Sequence, residues 1–197
     1  MGDIQNVRMK AAILIGDSIR RGYQPLVQEY LAGKVDAWGP PVNGGDSRNV
    51  LGRLDEWVIG RSPDLVHINC GLHDVSKEIG GVNRVPLDQY AANVRTILGR
   101  LRSESGGIVI WATTTPVNEQ RHRQVIGSER LEADVDAYNE AAEQVADDFD
   151  IQVNDLFGVA QQAGRDRVLS EDGVHFTPEG YAILAQSVAT VIREAIR

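Results

Sequence analysis

The nine residues KAAILIGDS, Lys10 to Ser18, decide how this chain is read. Lys10 to Ile15 is a short, largely apolar run closed by Gly16, the pattern of a buried strand. Gly16-Asp17-Ser18 follows it directly. A serine at a strand-to-helix turn has its hydroxyl near the positive end of the helix dipole and near unpaired backbone N–H groups. An oxyanion forming beside such a nucleophile is favoured. Gly-Asp-Ser is also an ordinary turn or helix cap, so the motif carries weight only in company.

Outward from this stretch, strand-like runs recur at Val35–Trp38, Leu65–Cys70, Ile108–Thr113 and Ile151–Val153. Helical patterns alternate with them. A first helix is expected from Pro25 to Leu31, and a short one from Asn49 to Val58. Leu87, Tyr90, Val94, Ile97, Leu98 and Leu101 mark one face of a longer helix, and Val135, Tyr138, Ala142, Val145 and Phe149 mark another. Thr177 and Pro178 have the residue types of an N-cap and first helical position, opening a last helix with Tyr181, Leu184, Val188, Val191, Ile192 and Ala195 inward. Five parallel strands with helices between them make a three-layer α/β/α domain. No repeat or linker divides the chain, so residues 1–197 are read as one domain. Such sheets bind ligands beyond the carboxyl ends of their strands, which tells where every motif should lie.

Composition narrows the function. With 28 acidic and 20 basic residues the net charge is −8, against nucleic-acid binding and against adhesion to anionic lipid. Small-molecule or neutral carbohydrate substrates fit better. Cys70 is the one cysteine, so no internal disulfide forms, and it reads as a small buried hydrophobe. Neither CxxC nor HExxH is present to suggest zinc. No apolar run is long enough to span a bilayer, and Met1 to Lys10 lacks an apolar signal segment, so a cytoplasmic location is expected.

Three more motifs fall on the predicted rim. Asn43-Gly44-Gly45-Asp46-Ser47 follows the second strand, and its glycines let backbone N–H groups point at a developing negative charge. Gly71-Leu72-His73-Asp74 follows the third strand. Asp172-Gly173-Val174-His175 precedes the last helix; an aspartate three residues before a histidine can fix its tautomer within one tight turn. Each has a plain structural reading as a turn, a cap or a polar loop. Their joint placement on one edge favours catalysis.

With these residues in hand, the chain resembles the GDSL/SGNH hydrolases over nearly its whole length. Gly16-Asp17-Ser18 matches the block holding the nucleophile, Gly45-Asp46-Ser47 the block whose glycine N–H serves the oxyanion, and Asp172 with His175 the DxxH block. The resemblance implies a flavodoxin-like sheet of order 2-1-3-4-5 and a Ser18, Asp172, His175 triad. It also implies an oxyanion hole from the N–H groups of Ser18 and Gly45 with a side chain at position 73. There the family's usual Gly-x-Asn-Asp reads Gly71-Leu72-His73-Asp74. Histidine replaces asparagine, and imidazole also donates a hydrogen bond. The reaction implied is two-step acyl transfer with no cofactor and no metal, on a small-molecule or carbohydrate acyl ester. A short acyl group, such as acetate on carbohydrate, is expected because no long apolar lid is evident. Lysophospholipase or thioesterase activity, a non-catalytic carbohydrate- or partner-binding domain, and a metal-dependent phosphoesterase using Asp17, Asp74 and His175 are the alternatives. An α/β-hydrolase proper is disfavoured, since GxSxG is absent. His67 is read as strand interior, Arg121-His122-Arg123 as a solvated turn or a substrate contact, and Trp38, Trp57 and Trp111 as core.

Overall fold

In a computed structural model describing residues 8–197, five parallel strands form one sheet in the order β2-β1-β3-β4-β5. The strands are β1 (Lys10–Ile15), β2 (Val35–Trp38), β3 (Leu65–Ile68), β4 (Ile108–Ala112) and β5 (Gln152–Asn154). All five runs expected from sequence are strands, three of them shifted or trimmed by one or two residues at their ends. Positions 1–7, part of the Met1–Lys10 stretch, lie outside the described residues. Among the described residues no helix is long and apolar enough to cross a membrane.

Register is what gathers the loops. Ile15 pairs with Ile68 and Ile68 with Trp111, so β1, β3 and β4 release their chains at one edge. The three central strands are buried almost throughout, as expected of a sheet covered on both faces. Helices α1 (Ser18–Leu31) and α9 (Pro178–Ala195) pack against each other, as do α4 (Leu87–Glu104) and α6 (Glu132–Asp148). Trp111 and Trp57 are buried, whereas Trp38 is only half-buried and carries the Arg61 guanidinium 3.7 Å from its ring centroid. Cys70 and His67 are both fully buried.

Helix α1 begins seven residues before the expected start at Pro25. Asp17 caps it by accepting the Ile19 N–H at 2.9 Å, and Ile19, Tyr23, Val27 and Leu31 run along its buried face at four-residue spacing. A proline inside a helix costs about 3 kcal/mol. Four buried side chains worth roughly 1.5–3 kcal/mol each outweigh that, and Pro25 lies on the exposed face. The helix expected over Asn49–Val58 is two pieces, α2 (Ser47–Gly52) and α3 (Leu54–Trp57), parted at Arg53 and followed by a 3-10 turn at Ile59–Arg61. The last helix opens as expected, with Thr177 Oγ1 accepting the Gly180 N–H at 3.1 Å. Three short helices had no periodic stripe to announce them: α5 (Glu119–Ile126), α7 (Leu156–Gln162) and α8 (Arg165–Val168).

Candidate active site

Ser18 is the first residue of α1, held there because Asp17 caps the helix. Its own backbone N–H is one of the first-turn donors that a helix leaves without a partner. Beneath it, the Arg20 guanidinium donates to Gly16 O at 3.3 Å and to Val42 O at 2.8 Å, tying the nucleophile turn to the loop after β2. The Gly44 N–H adds a bond to Gly16 O at 3.0 Å. A Cβ on Gly44 would stand 2.6 Å from that same oxygen, so only glycine allows the two loops to meet.

From the other end of the chain comes the base. His175 Nε2 lies 2.9 Å from Ser18 Oγ, and its Nδ1 lies 2.5 Å from Asp172 Oδ2. The other oxygen, Asp172 Oδ1, accepts from Ser170 Oγ at 2.8 Å and from the backbone N–H groups of Val174 and His175 at 2.9 Å each. Burial alone would raise this carboxyl. Hydrogen bonds from Val174, from the His175 ring and backbone, and from Ser170 more than offset it, and hold Asp172 well below the usual carboxylate range. An ionised Asp172 accepts from Nδ1–H and leaves Nε2 free to take a proton from Ser18. The hydrogen-bonded line has the geometry that a serine nucleophile, its base and an orienting acid require.

The groups expected to meet an oxyanion are not all free. Gly45 has φ +65°, the left-handed region glycine tolerates, but its N–H already donates to Asn43 Oδ1 at 2.8 Å. An oxyanion bound there takes the place of the Asn43 oxygen. The loop is braced from behind by Asp74, whose two oxygens accept the Ser47 N–H at 3.0 and 3.1 Å. Burial pushes Asp74 up to about 6 against those same hydrogen bonds. His73 lines the cavity, and among the described residues neither ring nitrogen has a partner or is sealed from solvent. Burial, reinforced by the charges of Arg130 and Arg84 and opposed by Asp17, lowers its pKa. It therefore presents a neutral imidazole at neutral pH, with one N–H to donate.

His122 is the clearest difference from the sequence reading. It sits on α5 rather than in a solvated turn and is 2% exposed. Arg130 Nη1 donates to His122 Nε2 at 2.7 Å, and a guanidinium can only donate. The ring proton is thus on Nδ1, which points at the Asp172 carbonyl oxygen at 3.3 Å. Asn43, His122 and Arg130 join Ser18, His73, Asp172 and His175 around one cavity of about 320 Å³. Asn43 and His122 fall in stretches singled out from sequence and Arg130 does not, but the roles of all three come from loops that meet only in the folded chain. The phosphoesterase alternative finds no ligand set: Asp17 is turned to Ile19, Asp74 to Ser47, and among the described residues no three metal-binding side chains converge.

Comparison with known proteins gives the family. The chain is 30% identical over 203 residues to the mouse isoamyl acetate-hydrolyzing esterase 1 homolog, covering 93% of this chain and 82% of that one. It is 27% identical over 158 residues to an acetylxylan esterase of Geobacillus stearothermophilus, covering 74% and 67%. A lipase/acylhydrolase structure from Enterococcus faecalis superposes with a TM-score of 0.81 at 24% identity, over 94% of this chain and 96% of that one. Residues 14–183 match the GDSL-like lipase/acylhydrolase family, and the chain, a carboxylic ester hydrolase, belongs to that family.

Proposed function

We propose that the protein is a serine esterase that hydrolyses short acyl esters, O-acetyl groups on carbohydrate among them, through an acyl-enzyme on Ser18. The observation that carries the reading is the continuous line from Asp172 through His175 to Ser18, with bonds of 2.5 and 2.9 Å. His175 Nε2 takes the Ser18 proton as Oγ attacks the ester carbonyl. The negative charge on the carbonyl oxygen is met by the N–H groups of Ser18 and Gly45 and by the His73 ring. As the bond from carbonyl carbon to alcohol oxygen breaks, the proton on His175 goes to the departing alcohol. Water then enters, gives its proton to His175 and attacks the acyl carbonyl; carboxylate leaves and Ser18 recovers its proton. No step asks for a metal or an organic cofactor.

Two features favour small acyl groups. The cavity of about 320 Å³ is at the small end for a ligand site, and the relatives are named for isoamyl acetate and acetylxylan. The test is intact mass after treatment with a fluorophosphonate. One adduct on wild type and none on Ser18→Ala supports the nucleophile. Labelling of Ser18→Ala to the same extent refutes it. Acetyl and butyryl p-nitrophenyl esters should be cleaved faster than lauroyl or palmitoyl esters; kcat/KM rising to palmitoyl moves the reading to a long-chain lipase or thioesterase.

A further inference from the structure

Arg130 lies in the segment between α5 and α6, and its Nε donates to Leu72 O at 2.8 Å while Nη1 donates to His122. These two bonds fix the plane of the guanidinium. Its remaining nitrogen, Nη2, has no partner among the described residues and is not sealed from solvent, and the residue lines the cavity that holds Ser18. Among the described residues no carboxylate lies within 4.0 Å of Arg130 or of the exposed Arg84, while Arg48 and Arg95 each hold one and Arg100 and Arg165 each hold two. Arg84 is close enough that its charge is felt at both His73 and Arg130.

Two acidic groups act on the same wall, and neither is paired with Arg130. Asp17 is 1% exposed with one oxygen on the Ile19 N–H and the other without a hydrogen-bond partner among the described residues, and Asp172 is held by His175 and the loop. Neither supplies the planar, paired acceptor that a fixed guanidinium fits best. We infer that Arg130 receives a carboxylate carried by the substrate, so that the preferred esters are short ones bearing a single negative charge. This rests on the reading of Ser18 as an esterase nucleophile. A small monoanion also suits the molecule as a whole: the net charge of −8 repels polyanions at long range, while contact at the fork acts within the cavity. An acetylated sugar acid satisfies both conditions.

The test compares kcat/KM for p-nitrophenyl acetate, for mono-p-nitrophenyl succinate (charge on the acyl side) and for O-acetyl-lactate against ethyl O-acetyl-lactate (charge on the alcohol side). At least one anionic ester should be preferred over its neutral counterpart by wild type. Arg130→Gln should lower that preference about ten- to hundredfold, the range of one charge-assisted hydrogen bond. Arg130→Lys, which keeps the charge and loses the fork, should fall between. Because Arg130 also braces His122, the readout is the ratio of anionic to neutral turnover, which a general loss of catalysis leaves unchanged. Calorimetric titration of Ser18→Ala with monomethyl succinate reads the same contact without hydrolysis, and Ser18→Ala/Arg130→Gln should lose the binding. If neutral esters are cleaved while the anionic preference is absent or indifferent to Arg130→Gln, the inference is overturned and the esterase reading stands. If no ester is cleaved yet monomethyl succinate binds through Arg130, the esterase reading falls and the anion site remains.

Discussion

Replacing Asp172 by asparagine removes one charge and one acceptor, and the structure says which acceptor is lost. Oδ1 accepts three donors, from Ser170, Val174 and His175, whereas Oδ2 accepts only the His175 Nδ1–H. Leaving a buried donor unsatisfied costs about 1–3 kcal/mol. Turning the amide –NH2 toward three donors therefore costs about 3–9 kcal/mol, against about 1–3 kcal/mol for turning it toward one. The amide oxygen keeps the loop, and Nδ2–H faces His175 Nδ1. Two donors cannot share that bond, so the ring proton moves to Nε2 and points at Ser18, where a free lone pair is needed. Restoring the productive tautomer against that opposition, together with losing the charged partner of the imidazolium, adds about 3–6 kcal/mol to the barrier. The expected loss in kcat is about 10²–10⁴. KM should change little, and the melting temperature should stay near wild type because the three loop bonds survive. Steady-state hydrolysis of p-nitrophenyl acetate measures the first two, and circular dichroism on heating the third. A variant that keeps kcat within tenfold of wild type, or loses activity through KM alone, refutes the tautomer argument and makes Asp172 a substrate contact.

Three other perturbations probe the walls of the site. His73→Ala should cost roughly 10²–10³ in kcat, the loss usual for one oxyanion donor, with His73→Asn restoring part of it; full activity in the alanine variant would make the hole backbone alone. Since burial and two arginines keep His73 neutral, wild type should show no acid-side rate gain over His73→Asn, and a gain on acidification that the asparagine variant lacks would contradict this. Asn43→Asp puts a negative charge on the Gly45 N–H beside the forming oxyanion, so kcat should fall about 10-fold or more while Asn43→Ala does not share the loss; equal kcat in all three would separate Asn43 from the oxyanion. Asp74 titrates near 6 in the folded chain, above the usual carboxylate value of about 3.9. Between those values the native state keeps a proton that the unfolded chain has released, so the contribution of Asp74 to stability falls as pH rises from about 4 to about 6. Asp74→Asn should thus gain on wild type by on the order of 2–3 kcal/mol between pH ~4 and ~7 in urea denaturation, and parallel curves would refute the burial account.

Much of this architecture is written in local signals. The central strands β1, β3 and β4 are short, largely apolar runs closed by glycine or a polar turn, and α4, α6 and α9 carry buried stripes that the spacing marks, although Leu87 at the start of α4 is 41% exposed. The rim motifs are legible for the same reason, since Asp17 capping Ile19, Asp172 reaching His175 and glycine at the left-handed Gly45 are all events within a few residues. Where local rules compete, the reading slips: Pro25 looks like a helix start, and only the packing of Tyr23 and Val27 on the sheet shows the helix running through it. Tertiary structure alone decided the rest. Ser18 and His175 are 157 residues apart, and their 2.9 Å contact exists because β1 releases Ser18 at the rim while α9, packed against α1, begins just after His175. The engagement of Gly45 by Asn43, the burial of His122 and the open face of Arg130 likewise depend on which loop each one meets. A hydrogen bond is settled by a few tenths of an ångström between atoms the chain brings together, and residue spacing along the sequence holds no such information.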